Sequence, residues 1–390
     1  MGSEGEAVAR MMPAFEQANP GVRVRVQQIP WSAAHEKLLT AYVGDTMPDV
    51  FQLGNTWIPE LVALKAIQPL GSYLESSTTI PMSDYFAGIL ETNVIDGVEY
   101  ALPWYVDTRL LFYRRDLLDA AGHMSPPLSW TAWTGALRRI EDAGDGKRYG
   151  ILFPFSEWEP PVIFALQLGA ELLRDGDRYG NFRSAEFRRA FEFYLDFFRR
   201  GLAPAGSDAE TTDPYRDFAA GYFAFYVTGP WNLGEFRRRL PESLQSAWAT
   251  APMPAPDGKG PGVSLAGGAS LALFAGTHHA DLAWRLIEYL SQPEQQAELY
   301  RATGDLPARM SAWETAGLQG EERTRAFWEQ LQHVRPTPKI AEWERIAAKI
   351  GEHAEAAIRG TATIDEALAA LDADTDTILA KRRSLLESRL

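Results

Sequence analysis

Apolar positions recur at helical spacing almost from the first residue. Val8, Met11, Met12 and Phe15 fall on one face, and Asn19-Pro20-Gly21 supplies the turn that ends the helix. The period then changes: Val22, Val24 and Val26 alternate with Arg23 and Arg25, which predicts a strand. Helical spacing returns from His35 to Val43, and Asp49 to Leu53 reads as a short buried strand before a helix from Ile58 to Leu64. Asp96-Gly97 predicts a hairpin turn ahead of a strand from Glu99 to Pro103. Leu110 to Tyr113 is a second apolar run, and Asp116 to Ala121 a helix closed by Gly122. Trp130 to Ala143 and Glu186 to Arg200 are amphipathic helices, and Tyr222 to Thr228 is strand-like. The Pro/Gly-rich run from Ala251 to Gly268 reads as loop, followed by a strand from Ser270 to Phe274 and a helix from Asp281 to Leu290. The last ~80 residues are helical by pattern. Short strands alternating with helices predict an α/β fold with a helical C-terminal part.

Length and composition narrow the classes. A chain of 390 residues suggests two or three domains, and 46% hydrophobic with 23% charged residues is globular composition. The net charge of −14 disfavours nucleic acid and anionic membrane surfaces as partners. Without cysteine, disulfides, thiolate nucleophiles and cysteine zinc sites are excluded. Aromatic residues make up 12% of the chain. Most are expected in the core, with a minority lining a site for a ligand with flat apolar faces and polar edges, such as a sugar.

The familiar catalytic signatures are missing. No GxGxxG, Walker A or GxSxG pattern occurs, and Gly258-Lys259-Gly260-Pro261-Gly262 lacks the spacing of a phosphate loop. His35-Glu36 opens like a zincin helix but has no second His at the fifth position, and Asp372-Ala373-Asp374 begins a calcium-loop pattern that lacks Gly at its sixth position. No metal and no cofactor are expected. The opening Met1-Gly2-Ser3-Glu4-Gly5-Glu6 carries neither a basic nor an apolar leader segment, and no stretch is long enough to cross a membrane as a helix.

A series of motifs, in order, resembles the extracellular solute-binding proteins that feed sugar ABC importers. They are Phe15-Glu16 with Asn19-Pro20-Gly21-Val22, Pro48-Asp49-Val50-Phe51, Trp57, and Ile67-Gln68-Pro69-Leu70. The most specific block runs from Asp96 to Pro103, then Asp107-Thr108 and Phe112-Tyr113-Arg114-Arg115-Asp116-Leu117-Leu118. Further on come Trp130, Phe218-Ala219-Ala220-Gly221, Gly229-Pro230-Trp231, the PMPAPDG loop with Gly267-Gly268, Ala283-Trp284 and Gly304 with Leu306-Pro307. Within the family, Tyr100 to Asp107 is most similar to trehalose/maltose-binding proteins.

The resemblance implies a type II periplasmic-binding-protein-like fold: two α/β lobes, a hinge, and a ligand cleft between them. Lobe one is expected at 1–109 plus 272–310 and lobe two at 113–268 plus 313–390, with hinge segments near 110–112, 269–271 and 311–312. It implies a periplasmic or extracellular location. The family's first strand and its leader are missing ahead of Ser3, which favours a chain shortened at its N-terminus over a cytoplasmic protein. The implied partners are a small-molecule sugar and the permease subunits of an ABC importer, with the protein a monomer.

The resemblance also nominates ligand-binding residues. Tyr105 and Asp107 match sugar-contacting positions: a carboxylate accepts two hydroxyl hydrogen bonds, and a tyrosine ring stacks on a pyranose. Glu4 matches a ligand carboxylate, although charge compensation at a helix start would also place it there. Arg309 matches a ligand-reaching arginine, with a surface position at a lobe junction as the alternative. Trp57 is either a cleft residue or a lobe-capping core residue. Asn55 stands where the subgroup has an acid. Trp231 is expected to face the cleft, Gly268 to let backbone approach the ligand, and His35 is a weaker candidate. Where the subgroup has a Trp beside Gly268 this chain has Ala269, and Trp158 is the candidate replacement. Hinge closure on a neutral α-glucoside disaccharide, trehalose or maltose first, is the expected mechanism. A glycoside-active enzyme with two cleft carboxylates, or a sensor using the same closed state, are the competing readings.

Overall fold

The computed structural model describes residues 4–154, 157–205 and 213–388. Of the segment Phe155-Ser156-Glu157-Trp158, Phe155 and Ser156 lie outside the described residues, as do Met1 to Ser3. The chain divides into two compact units, Met1–Asp107 with Ala266–Glu321, and Thr108–Leu265 with Glu322–Leu390. Eight strands build the two main sheets: β1 Val50–Gly54, β2 Ala101–Asp107, β3 Leu110–Arg114, β4 Tyr149–Leu152, β5 Phe223–Thr228, β6 Trp248–Ala251, β7 Gly267–Leu273 and β8 Leu306–Pro307.

In the first unit the order is β1-β7-β2-β8, every pairing antiparallel. Strand β1 is buried along almost its whole length, and Phe51 and Leu53 join Leu38, Ile58 and Leu61 in the core. Asp96 and Gly97 both take positive φ, at 50° and 80°, as a tight two-residue hairpin between Val94–Ile95 and Val98–Glu99 demands. The helix Glu4–Ala18 buries Ala7, Met11, Met12 and Phe15, the predicted stripe moved by one residue at its start. The strand expected at Val22 to Val26 does not form. The valines are half-buried and the arginines exposed, as alternation requires, but the backbone joins no ladder, and the amide of Val24 donates to Glu16 Oε1 at 2.8 Å instead. Alternation marks which face is covered; a strand also needs a partner.

Gly268 was expected in the second unit, within a loop. It lies in β7, opposite Val106 of β2, and so belongs to the first. Its φ is +130°, and a Cβ there would sit 2.3 Å from the carbonyl oxygen of Tyr105. The backbone it admits is that of its neighbour strand. Gly268→Ala is expected to cost about 1–3 kcal/mol of stability, read as a lowered midpoint in urea; an unchanged midpoint would remove this account of the glycine. The segment after 313 is corrected likewise: the helix Met310–Thr315 belongs to the first unit, where Trp313 is fully buried and donates from Nε1 to the Pro307 carbonyl at 2.9 Å.

The second unit's sheet runs β6-β3-β5-β4, antiparallel except for the parallel pair β4 and β5. Its core is aromatic. The helix Ala185–Arg199, capped by the Ser184 hydroxyl, buries Phe187, Phe191, Tyr194, Leu195 and Phe198. Phe153, Phe164 and Phe197 meet there with ring centroids 5.0–6.2 Å apart. Each such side chain contributes roughly 1.5–3 kcal/mol by burial. This cluster absorbs much of the aromatic excess noted in the sequence.

Candidate functional site

Side chains alternate along a strand, so Gln52 and Gly54 share one face of β1 while Phe51 and Leu53 turn to the core. The row Gly54, Ala269, Tyr105 crosses the sheet on the Gln52 face. On this face a polar network forms. Tyr105 donates from its hydroxyl to Glu4 Oε1 at 3.1 Å, and Gln52 Nε2 donates to the Tyr105 hydroxyl at 3.0 Å and to Glu4 Oε1 at 3.3 Å. Glu4 is buried in the first turn of its helix, where the backbone N–H groups favour a carboxylate. Burial, then the charges of Asp305 and Glu4, hold the Tyr105 hydroxyl well above its usual range, so it stays a proton donor.

Strand β8 adds a further acid. Leu306 pairs with Val106 and Pro307 with Tyr105, and continuing that register sets Asp305 opposite Asp107. Burial, followed by the Glu4 charge, pushes the Asp305 carboxyl up to about 7, while a hydrogen bond from Thr303 opposes the rise. Like charges facing each other across a sheet are unfavourable, and retaining a proton relieves this.

An aromatic wall stands beside the network. The Trp57 ring lies over Gly54, where a Cβ would approach its Cε2 to 3.1 Å. Trp31 stacks on Trp57 at 5.0 Å between centroids, and His35 stacks on it at 4.9 Å. His35 is held through Nε2 by Glu60 Oε2 at 2.7 Å. Trp57 is buried, but Trp31 is 42% exposed and offers its ring to solvent.

Glu4 and Tyr105 thus come together with Gln52 in one network, Asp107 stands two residues on along the same strand face, and Trp57 and His35 stack with Trp31 at the Gly54 end of β1, where Trp57 also joins the core of the unit. Asn55 borders it. It is buried, its Oδ1 accepts from Ser270 Oγ at 2.8 Å, and its Nδ2 is left without a partner. Gly268 contributes the close approach of β7 to β2 described above. Arg309 is neither at the surface nor free. It is buried, with Nε donating to Asp84 at 2.8 Å and one terminal nitrogen to the carbonyls of Thr79 and Ser291 at 3.0 and 3.1 Å. Its donors brace the loop before β2 against the segment after β7.

In the second unit, Trp231 begins the helix Trp231–Arg239 and is 37% exposed. Asn232 anchors this turn, donating to Thr228 Oγ1 at 2.6 Å and accepting from the Tyr215 hydroxyl at 2.7 Å. Trp158 is half-buried and meets Trp343 edge-on at 5.4 Å, as part of the core boundary. Sequence reasoning missed Gln52, Asp305 and Trp31. Gln52 carries a signal, a polar residue inside an apolar strand; Asp305 sits in the segment Gly304 to Arg309, of which Arg309 alone is a ligand candidate by sequence. Among the described residues no group of His, Asp and Glu is placed to hold a metal ion.

Two α/β units, built from a discontinuous chain and each carrying its own mixed or antiparallel sheet, define a type II periplasmic binding protein. The sequence pattern of the family described as bacterial extracellular solute-binding protein matches residues 2–297. The chain belongs to that family. The structure is similar to that of the sugar-binding protein MalE from Xanthomonas citri, with 46% sequence identity, a TM-score of 0.95 and coverage of 99% of this chain and 98% of that one. The GacH receptor of Streptomyces glaucescens shares the fold at 22% identity and a TM-score of 0.82, over 97% and 96% of the two chains. The diacetylchitobiose binding protein DasA of Streptomyces coelicolor is 26% identical over 333 residues, 85% of this chain and 76% of its own. The family is one of solute-binding proteins, and the first and last of these relatives are described as a sugar-binding and a diacetylchitobiose binding protein.

Proposed function

We propose that this protein binds a neutral disaccharide-sized α-glucoside, trehalose or maltose first, and delivers it to the permease subunits of an ABC importer outside the cytoplasmic membrane, acting as a monomer. The observation that carries the reading is the network of Tyr105, Glu4 and Gln52 with Asp305 near it, on a sheet whose first strand ends under the Trp57 ring, itself stacked with the exposed Trp31. Carboxylates, an amide and a hydroxyl are the groups that exchange hydrogen bonds with sugar hydroxyls, and the rings suit pyranose faces. The unpartnered Asn55 Nδ2 supplies another donor, and Trp231 a stacking surface in the second unit. Arg309 acts as a brace for this face and not as a ligand contact. The acids Glu4 and Asp107, joined by Asp305 once it gives up its proton, disfavour an anion, which argues against a phosphorylated sugar. The similarity to a sugar-binding protein over nearly the whole chain supports the same class of ligand.

Isothermal titration tests it, with trehalose, maltose and glucose 6-phosphate in parallel. Heat is expected with a disaccharide; silence from both, with clear binding of the phosphate, would overturn the proposal. Tyr105→Ala is expected to weaken disaccharide binding by about 1–3 kcal/mol without unfolding the protein. If that variant instead loses its stability and keeps its affinity, Tyr105 serves the fold.

A further inference from the structure

Trp231 projects from the start of its helix and is 37% exposed, and its ring packs back against its own turn. It folds back over Gly229 so closely that a Cβ there would sit 1.9 Å from its Cζ3. The Arg109 guanidinium lies over the same ring, 4.6 Å from its centroid. Arg109 is itself only 8% exposed and is held from several sides. One terminal nitrogen donates to Glu159 Oε1 at 2.8 Å and Nε to Glu157 Oε2 at 3.4 Å. Its carbonyl accepts from the buried Ser264 hydroxyl at 2.7 Å. A planar cation is attracted to an indole face, and two carboxylates fix the plane of the guanidinium, so the indole inherits that orientation.

We propose that Arg109 is a positioning residue: it sets the Trp231 ring as a rigid stacking platform for the sugar without touching the sugar itself. This rests on the proposed role of Trp231 as a ligand contact. An aromatic side chain that is already oriented loses little freedom when a ligand stacks on it, so the effect of Arg109 appears in affinity. Gly229 is part of the same device, because only a residue without Cβ leaves room for the ring.

The test combines a double-mutant cycle with a signal that needs no ligand. R109M, R109K, W231A and R109M/W231A are titrated with maltose and trehalose, and the proteins are labelled with 5-fluorotryptophan, the Trp231 resonance being assigned by its loss in W231A. R109M is expected to weaken binding about tenfold, and to weaken it no further in the W231A background. Without sugar, its Trp231 resonance shifts or splits, and R109K restores it in part. An unmoved resonance in R109M, or a full additive loss in the W231A background, would overturn the proposal. Should R109M fail to fold, R109K decides by the same two readouts: it retains the charge but not the planar fork, so a wild-type resonance with wild-type affinity would exclude a role for that plane. If wild-type protein binds neither sugar, the proposed ligand falls, while the ligand-free resonance still reports whether Arg109 holds the ring.

Discussion

Arg309→Met is expected to destabilise the first unit by about 3–5 kcal/mol, with little selective loss of ligand affinity in whatever fraction remains folded. The guanidinium is paired with Asp84, which in turn accepts from the Ser311 amide at 2.9 Å. The same head satisfies the carbonyls of Thr79 and Ser291, and the Arg309 amide donates to the buried Gln296 side chain at 2.9 Å. Methionine fills much of the volume but leaves the Asp84 carboxylate facing a site from which water is largely excluded. The cost arises from that unpaired charge and the two orphaned carbonyls, more than from the attraction lost. A second variant separates these contributions: Arg309→Met with Asp84→Leu removes both charges and is expected to recover a good part of the loss. Urea denaturation measures all three proteins, and titration at low temperature measures affinity. A variant as stable as wild type whose affinity falls tenfold or more would return Arg309 to the ligand.

The reason Arg309 was nominated shows where sequence reading reaches its limit. Its motif points to the segment Gly304 to Arg309, but which side chain of that segment lies beside Asp107 depends on β8 register. Pairing of Leu306 with Val106 brings Asp305 beside Asp107, whereas Arg309 has left the strand and turned to Asp84. Periodic helices were legible because one chain segment carries the whole signal, as in Ala185–Arg199. The Asp96-Gly97 hairpin was legible because the turn itself demands those residues. Val22 to Val26 shows the converse: alternation was present and the partner strand was not, so no strand formed. Trp158 and Trp57 could not be told apart by composition, since both are aromatic residues next to a proline-containing helix start. Contacts made across the sequence separate them: Trp57 lies over Gly54 on the polar face, and Trp158 meets Trp343.

Asp305 is expected to lower stability as pH rises from 4 to 8, and Asp305→Asn to remove that contribution. The sign follows from the direction of the shift. The folded-state carboxyl titrates at about 7 against an ordinary 3.8, because burial and the neighbouring Glu4 disfavour its charge. Below the ordinary value both folded and unfolded chains hold the proton, so Asp305 contributes nothing. Between the two values the folded chain keeps a proton that the unfolded chain has released, and each pH unit then lowers stability. Above pH 7 the cost is complete, up to roughly 4 kcal/mol. Asp305→Asn is therefore expected to match wild type near pH 4 and to exceed it at pH 8. Urea midpoints at pH 4, 5.5, 7 and 8 test this; parallel curves for the two proteins would mean that Asp305 holds no proton in the folded state. The same proton bears on binding. Below pH 7 the carboxyl both donates and accepts, and above it only accepts, on a face that already carries Glu4 and Asp107. Sugar hydroxyls can meet either state, so disaccharide affinity should remain measurable throughout, whereas an anionic ligand should be rejected more strongly as the third carboxylate ionises.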